Sequence, residues 1–167
     1  PLEGFDAYHA SPPCQAMSVA QNFWNAKKDH PLLIAPTRDR LIKTGSPFVI
    51  ENVSGAKGYL LADKRIKLTG KMFGLKTIRL RYFELHGFYC LTPKGGEKVT
   101  DVYSWVFGHG AQCVPQQQPQ RWAEAMGIEW MDKTELTQAI PPAYTEYIGK
   151  YLMEAIKRIQ NTQPALR

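Results

Sequence analysis

Long apolar runs are missing from this sequence, and so are the marks of a secreted protein. No stretch approaches the roughly 18–20 consecutive apolar residues that a membrane-spanning helix needs. The opening residues contain no basic stretch followed by an apolar one, so no signal peptide is predicted. Internal repeats and low-complexity segments are also missing. These absences predict a cytoplasmic protein without a membrane partner.

Cysteine is scarce, and its count is odd. The sequence has 3 cysteines, Cys14, Cys90 and Cys113. An odd number without a secretion signal predicts a reducing compartment and no disulfide framework.

Acidic residues are fewer than basic ones, with 15 Asp and Glu against 21 Lys and Arg and a net charge of +6. Seven of the basic residues lie between positions 64 and 81. This excess is typical of a protein with a phosphate-rich partner, although a solvated basic surface would have the same composition. With 167 residues, 44% of them hydrophobic, the chain is long enough to bury a core.

Local patterns predict alternating strands and helices. Strands are expected at residues 5–10, 47–53, 66–69, 79–85 and 99–107, and helices at 18–27, 31–44, 119–126 and 142–160. Pro36 is tolerated in the first turns of its helix, and Gly45 is a plausible stop. Strand, helix and strand over residues 5–53 form a βαβ unit, which predicts an α/β fold with ligands at the carboxyl ends of its strands. Because the chain opens without an initiator Met and enters a strand almost at once, we interpret it as a fragment or a processed product.

The most distinctive motif is Ser11-Pro12-Pro13-Cys14-Gln15, directly after the first strand. A cysteine on a proline-stiffened loop at a strand end is suited to nucleophilic chemistry. Free cysteines are also commonly packed in cores, so the motif alone leaves both readings open.

A second motif, Glu51-Asn52-Val53, ends the next predicted strand. Neighbouring strands of a parallel sheet lie about 5 Å apart, so a thiol and a carboxyl at adjacent strand ends face one crevice. Their order favours an active site over two unrelated residues.

Together these motifs resemble those of the cytosine-5 DNA methyltransferase family. Residues 68–85 resemble the family segment that ends in paired arginines, here Arg79 and Arg81. Residues 121–131 resemble the helix and turn before the last family motif, and residues 135–149 resemble that motif itself. The sequence of residues 135–149 is similar to the same motif in small phage and prophage members of the family. The resemblance covers roughly residues 4–152.

The resemblance implies a reaction and a set of residue roles. Cys14 would attack C6 of a cytosine flipped out of double-stranded DNA, and C5 would then take a methyl group from S-adenosylmethionine. Glu51 would hold the ring at N3 and share a proton with it. Arg79 and Arg81 would contact the flipped nucleotide and phosphate and favour the thiolate.

The remaining implied roles concern the nucleophile loop and the cofactor. Asn52 would brace the loop through its backbone, and Pro13 and Gln15 would support it. Pro13 and Gln138 would contribute to the cofactor site. The resemblance also implies a bacterial or phage-encoded enzyme, as in restriction–modification systems.

Several family features are not in this sequence. It has no Gly-rich loop after a first strand and no acidic residue for the cofactor ribose. We therefore expect a partial Rossmann-like, doubly wound sheet that lacks its first strands, with the rest supplied by a missing N-terminal segment or a partner chain. Thr77 replaces a family glutamine, and Thr137-Gln138 replaces Gly-Asn. The predicted division is a catalytic core at 1–85, a reduced, irregular recognition region at 86–120 and a C-terminal helical segment at 121–167.

One further spacing raises the possibility of a metal. His86 and Cys90, like His109 and Cys113, are separated by three residues, and four such ligands could hold zinc. Neither spacing is usual for a zinc knuckle, so no metal is predicted.

The function stays open between two classes. The motifs favour an S-adenosylmethionine-dependent DNA methyltransferase, whereas the missing cofactor motifs favour a non-catalytic remnant that binds DNA. An RNA cytosine-5 methyltransferase is a lesser alternative.

Overall fold

The computed structural model describes residues 2–14, 17, 31–95 and 119–162. The helix predicted at 18–27, the strand predicted at 99–107, and Gln15, His109 and Cys113 lie outside these ranges. The strands are β1 (Tyr8–Ala10), β2 (Phe48–Val53), β3 (Arg65–Leu68) and β4 (Arg81–His86), and the helices are α1 (Ile34–Ile42), α2 (Pro119–Met126), α3 (Lys133–Gln138) and α4 (Pro142–Thr162). None of the described helices is both long and apolar enough to cross a membrane.

The strands form a mixed four-stranded sheet in the order β1-β2-β4-β3. β1 is parallel to β2, with Ala10 opposite Ile50. β4 runs antiparallel to β2, with Val53 opposite Arg81. The predicted βαβ unit is therefore present as β1, α1 and β2, and the protein has a mixed α/β fold.

Helix α1 spans Ile34–Ile42, inside the range of 31–44 that the sequence predicts, and a proline and a glycine lie near its two ends. Pro36 lies in the first turn, where the missing amide hydrogen costs no helical hydrogen bond. After the last helical residue, Gly45 takes a positive φ of 71° and its amide donates to the carbonyl of Ile42 at 3.1 Å. Ile34 and Leu41 are buried in the same core cluster as Phe48 and Ile50 of β2.

Strand β4 starts two residues later than the sequence predicts. Arg79 has a φ of +31°, in the left-handed region that L-residues rarely adopt. An extended ladder cannot include such a residue, so the strand begins at Arg81.

The described residues fall into two compact units. The first contains β1, α1, β2, β4 and α4 from Ile148 onward. The second contains residues 68–80, α2, α3 and the start of α4 up to Tyr147. Residues 68–80, which the sequence analysis grouped with the catalytic core, thus cluster with the second unit.

The second unit has its own core. Trp122, Met126, Ile128 and Leu136 form a buried cluster. Helix α3 begins with a capping box, in which the Asp132 carboxylate accepts from the amide of Glu135 at 2.8 Å and the Glu135 carboxylate accepts from the amide of Asp132 at 2.9 Å. These reciprocal bonds satisfy amides that have no partner within the helix.

Candidate active site

The nucleophile loop follows β1 at the edge where β1 and β2 both have their carboxyl ends. Pro12 is buried, Pro13 is exposed and Cys14 is partly exposed. The loop therefore leaves Cys14 partly exposed while one of its prolines is packed inside. Accessibility is a requirement for a nucleophile, whereas a packed core cysteine would be closed to solvent.

Asn52 attaches this loop to β2. Asn52 is only 2% exposed, and its side-chain Nδ2 donates to the carbonyl of Pro12 at 2.8 Å. Its Oδ1 accepts from the amide of Val53 at 2.9 Å. A backbone contact of the kind that the resemblance implies for Asn52 is thus present two residues before Cys14.

Glu51 lies beside Arg81 on the opposite face of β2 from Asn52, because side chains alternate along a strand. Phe83 is directly opposite Glu51 in the ladder, so Arg81 is its diagonal neighbour on β4. Arg81 Nε lies 3.0 Å from Glu51 Oε1, with side-chain exposures of 14% and 8%. A buried carboxylate is thereby paired with a cation rather than left uncompensated.

Arg79, the other predicted arginine, belongs to the second unit and has a local role there. Its Nη2 donates to the carbonyls of Thr137 and Ala139, each at 2.7 Å, and its Nε also donates to Ala139 at 3.1 Å. The residue is 8% exposed, and its own carbonyl accepts from the hydroxyl of Tyr144 at 3.0 Å. The sequence predicted that Arg79 contacts the nucleotide and a phosphate, and it gave no sign of these hydrogen bonds to the end of α3.

The two predicted cofactor residues belong to different units. Pro13, in the first unit, is exposed. Gln138, in the second unit, is also exposed, and its side-chain amide donates to the hydroxyl of Thr137 at 3.4 Å. Neither residue is enclosed by the described residues of its own unit, whereas ligand pockets enclose most of a small molecule's surface.

A buried ion network on the other face of β4 was missed by sequence reasoning. The Glu84 carboxylate is fully buried and accepts from Arg38 Nε at 2.6 Å, Arg38 Nη2 at 2.7 Å and the amide of Leu61 at 2.8 Å. The Nε2 of His86 lies 2.7 Å from the same carboxylate. The available signal was a glutamate, Glu84, inside the apolar strand predicted at 79–85.

The pKa of Glu84 reflects two opposing causes. Burial by itself would raise the pKa of this carboxyl, but the hydrogen bonds from Arg38, Leu61 and His86 outweigh it, and the pKa lies below its ordinary value. Glu84 is therefore held as a carboxylate that fastens α1 to the sheet.

Cys90 differs from Cys14 in both burial and chemistry. It is 8% exposed, and burial raises the pKa of its thiol to about 11. A thiol in that environment is a weak nucleophile at neutral pH, because the thiolate is the reactive form.

His86 and Cys90 are the two zinc candidates within the described ranges. The ring of His86 stacks on Phe48 with centroids 4.1 Å apart and contacts Glu84. Within residues 2–14, 17, 31–95 and 119–162, no three His, Cys, Asp or Glu residues are grouped to hold a metal ion.

A cleft of about 820 Å³ lies at the other end of the first strands. Its lining includes Tyr8, which begins β1, and Ser46, which precedes β2. These positions mark the amino ends of the strands, so this cleft is separate from the loop that carries Cys14.

Comparison with known proteins adds no further assignment, since no protein-family model and no curated protein matches the chain.

Proposed function

We propose that this chain carries the nucleophilic half of a cytosine-5 DNA methyltransferase, which transfers a methyl group from S-adenosylmethionine to C5 of cytosine. The observation that supports this most is the placement of the Cys14 loop. Asn52 bonds the loop to the end of β2, next to a residue, Glu51, that is paired with Arg81. A thiol, a carboxyl and a guanidinium on adjacent strand ends are the groups that this reaction needs.

We further propose that the sheet is part of a Rossmann-like, doubly wound fold. The parallel β1–α1–β2 unit supports this, because open α/β sheets bind ligands beyond the carboxyl ends of parallel strands. β4 runs antiparallel beside β2 and lies inside the sheet, so the sheet is mixed, and mixed sheets are common among large sheets.

In the proposed reaction the thiolate of Cys14 forms a bond to C6 of a flipped cytosine. The C5–C6 double bond opens, and electron density moves to C5, where the methyl group is accepted. S-adenosylmethionine would supply the methyl group and leave as S-adenosylhomocysteine. A water molecule would take the C5 proton, the electron pair of the C5–H bond would restore the C5–C6 double bond, and the C6–sulfur bond would break with its electron pair returning to Cys14 as the thiolate.

Glu51 would assist by contacting N3 and the exocyclic amine of the base. A carboxyl that shares a proton with N3 draws electrons from the ring and makes C6 more electrophilic. Arg81 would balance the charge of Glu51 when no base is bound and contact the nucleotide when one is. Arg79 would contact a phosphate only if its hydrogen bonds to the carbonyls of Thr137 and Ala139 were broken and replaced by bonds to the phosphate.

The first experiment tests the methyl-donor site. By calorimetry, we expect no micromolar binding of S-adenosylmethionine to this chain, because its sequence has no Gly-rich loop after a first strand and no acidic residue for the cofactor ribose. Micromolar binding would contradict the proposal that the chain carries only the nucleophilic half.

The second experiment tests the nucleophile. This chain, joined to a Gly-rich strand–loop–helix segment that binds the methyl donor, should transfer labelled methyl groups to C5 of cytosine in duplex DNA. Cys14→Ser should abolish the transfer, whereas Cys90→Ser should retain it. Equal activity of Cys14→Ser and the unchanged protein would refute the nucleophile. DNA binding without any transfer would favour the non-catalytic alternative, and transfer to RNA alone would favour the RNA enzyme.

A further inference from the structure

We propose that Gly55 is a positioning residue for the Cys14 thiol, because only glycine leaves room for the backbone that follows the nucleophile. The inference rests on the proposed function, in which this thiol attacks the base. It adds a second attachment of the nucleophile loop to the one made by Asn52.

Met17 is hydrogen-bonded to the residue that carries the thiol. The amide of Met17 donates to the carbonyl of Cys14 at 2.9 Å. Met17 is only 7% exposed and belongs to the core cluster that includes Ala56 and Leu60. Met17 is therefore held in the interior of the first unit.

Gly55 lies against the backbone of Met17. A Cβ atom on Gly55 would overlap the carbonyl oxygen of Met17 and come within 3.0 Å of its carbonyl carbon. Backbone atoms cannot rotate away as the end of a long side chain can, so any larger residue would push residue 17 outward. The φ of Gly55 is not positive, and the requirement for glycine here is one of space.

Gly58 provides a matched comparison within the same short 3-10 helix, Ser54–Tyr59. A Cβ atom on Gly58 would have nothing within 4 Å. Substitution of either glycine by alanine changes the helix propensity equally, and only the substitution at Gly55 affects the contact with Met17.

The two attachments lie on either side of the nucleophile. Before Cys14, the side chain of Asn52 donates a hydrogen bond to the carbonyl of Pro12. After Cys14, the backbone of Met17 packs against Gly55, which has no side chain to obstruct it. Both residues follow Glu51 within the same short segment. A shift of that segment therefore moves the thiol and the carboxyl together, which preserves the spacing that the proposed attack requires.

The test measures the rate at which iodoacetamide alkylates each cysteine of the folded chain, resolved by peptide mass spectrometry. We expect Gly55→Ala to alkylate Cys14 several-fold faster than the unchanged chain, because the displaced loop opens locally. The rate at buried Cys90 should stay the same, and Gly58→Ala should match the unchanged chain at both cysteines. An unchanged rate at Cys14 in Gly55→Ala, or an equal rise at Cys14 and Cys90, would overturn the proposal.

A second pair of variants applies if Gly55→Ala does not fold, as judged by circular dichroism. Met17→Ala removes the packing that holds residue 17 in the core and should raise the rate at Cys14 several-fold, whereas Met17→Leu should keep the original rate. No difference between these two variants would overturn the proposal. Alkylation involves neither DNA nor a methyl donor, so the two failures are distinguishable. Failure of the methylation assay would refute the attack by the thiol, whereas failure here would refute only the role of Gly55 in placing it.

Discussion

At the residue scale, the site depends on how single polar side chains are used, and Asn52 is the clearest case. One amide group joins two segments, since it donates to Pro12 and accepts from the backbone of Val53. Both bonds are largely shielded from water, so neither partner can replace them with solvent. Loss of a partner leaves a buried polar group unsatisfied, which costs about 1–3 kcal/mol.

We therefore predict that Asn52→Ala lowers the free energy of unfolding by about 1–3 kcal/mol, measured by urea titration. Asn52→Asp keeps the acceptor for Val53 but places a carboxylate without a cation against the carbonyl of Pro12 in a buried position. It should be at least as destabilising as Asn52→Ala, because a buried charge without compensation costs more than a lost hydrogen bond. Unchanged stability in both variants would show that the attachment contributes nothing.

At the scale of elements, the network around Glu84 joins α1 to β4. Arg38 donates from α1 to the fully buried carboxylate, and a second bond from its Nη2 reaches the carbonyl of Tyr59 at 2.7 Å. Removing one partner of a buried pair typically costs about 3–5 kcal/mol, because the remaining charge is left without compensation. Arg38→Met should therefore be more destabilising than Glu84→Gln, which leaves no buried anion.

The network also predicts how stability depends on pH. The pKa of Glu84 is lower in the folded protein than in the unfolded chain, so the unfolded chain takes up the proton first as the pH falls. The contribution of Glu84 is fully present above the unfolded pKa of about 4.3 and is lost below it. Chemical unfolding between pH 7 and pH 3 should thus show a steeper loss of stability for the unchanged protein than for Glu84→Gln. Parallel curves would contradict this.

Helix α3 offers a separate prediction at the same scale. Its six residues are too few for a stable isolated helix, so its cap and its packing must hold it. Asp132→Ala should lower the free energy of unfolding by about 0.5–2 kcal/mol, as other N-cap losses do. Thr134→Ala, in the first turn of the same helix, should change it less. Equal effects in the two variants would argue against the capping box as the cause.

At the scale of the whole molecule, the net charge of +6 bears on the proposed binding of DNA. A protein that neutralises phosphates releases counterions, so the logarithm of its affinity for DNA falls linearly with the logarithm of the salt concentration. We predict such a decline for duplex DNA, measured by fluorescence anisotropy. Lys67→Gln, in the basic segment, should reduce the slope by about 1, whereas Lys157→Gln, whose partner is Glu154, should not. Salt-independent binding would contradict an electrostatic interface.

Much of the fold follows from local sequence. The sequence predicted five elements, β1, α1, β2, α2 and α4. Each has apolar residues that recur with the period of a strand or of a helix, and each has a proline or glycine near one end. The order of the motifs also led directly to Cys14, Glu51 and Asn52. Strand β4 was placed two residues early, since a regular pattern gives no sign that Arg79 takes a left-handed φ.

Long-range contacts account for what the sequence left undecided. The amino-acid sequence by itself determined the net charge and the order of strand, helix and strand up to Val53, and it predicted the residues of the proposed nucleophile site, because residue types and local periods can be read along the chain. Only the tertiary structure decided that β4 lies antiparallel beside β2, that Glu84 binds Arg38, that Arg79 bonds to the end of α3, and that Gly55 meets Met17. Each of these contacts joins residues far apart in sequence, and their energies depend on burial and geometry that no local pattern encodes.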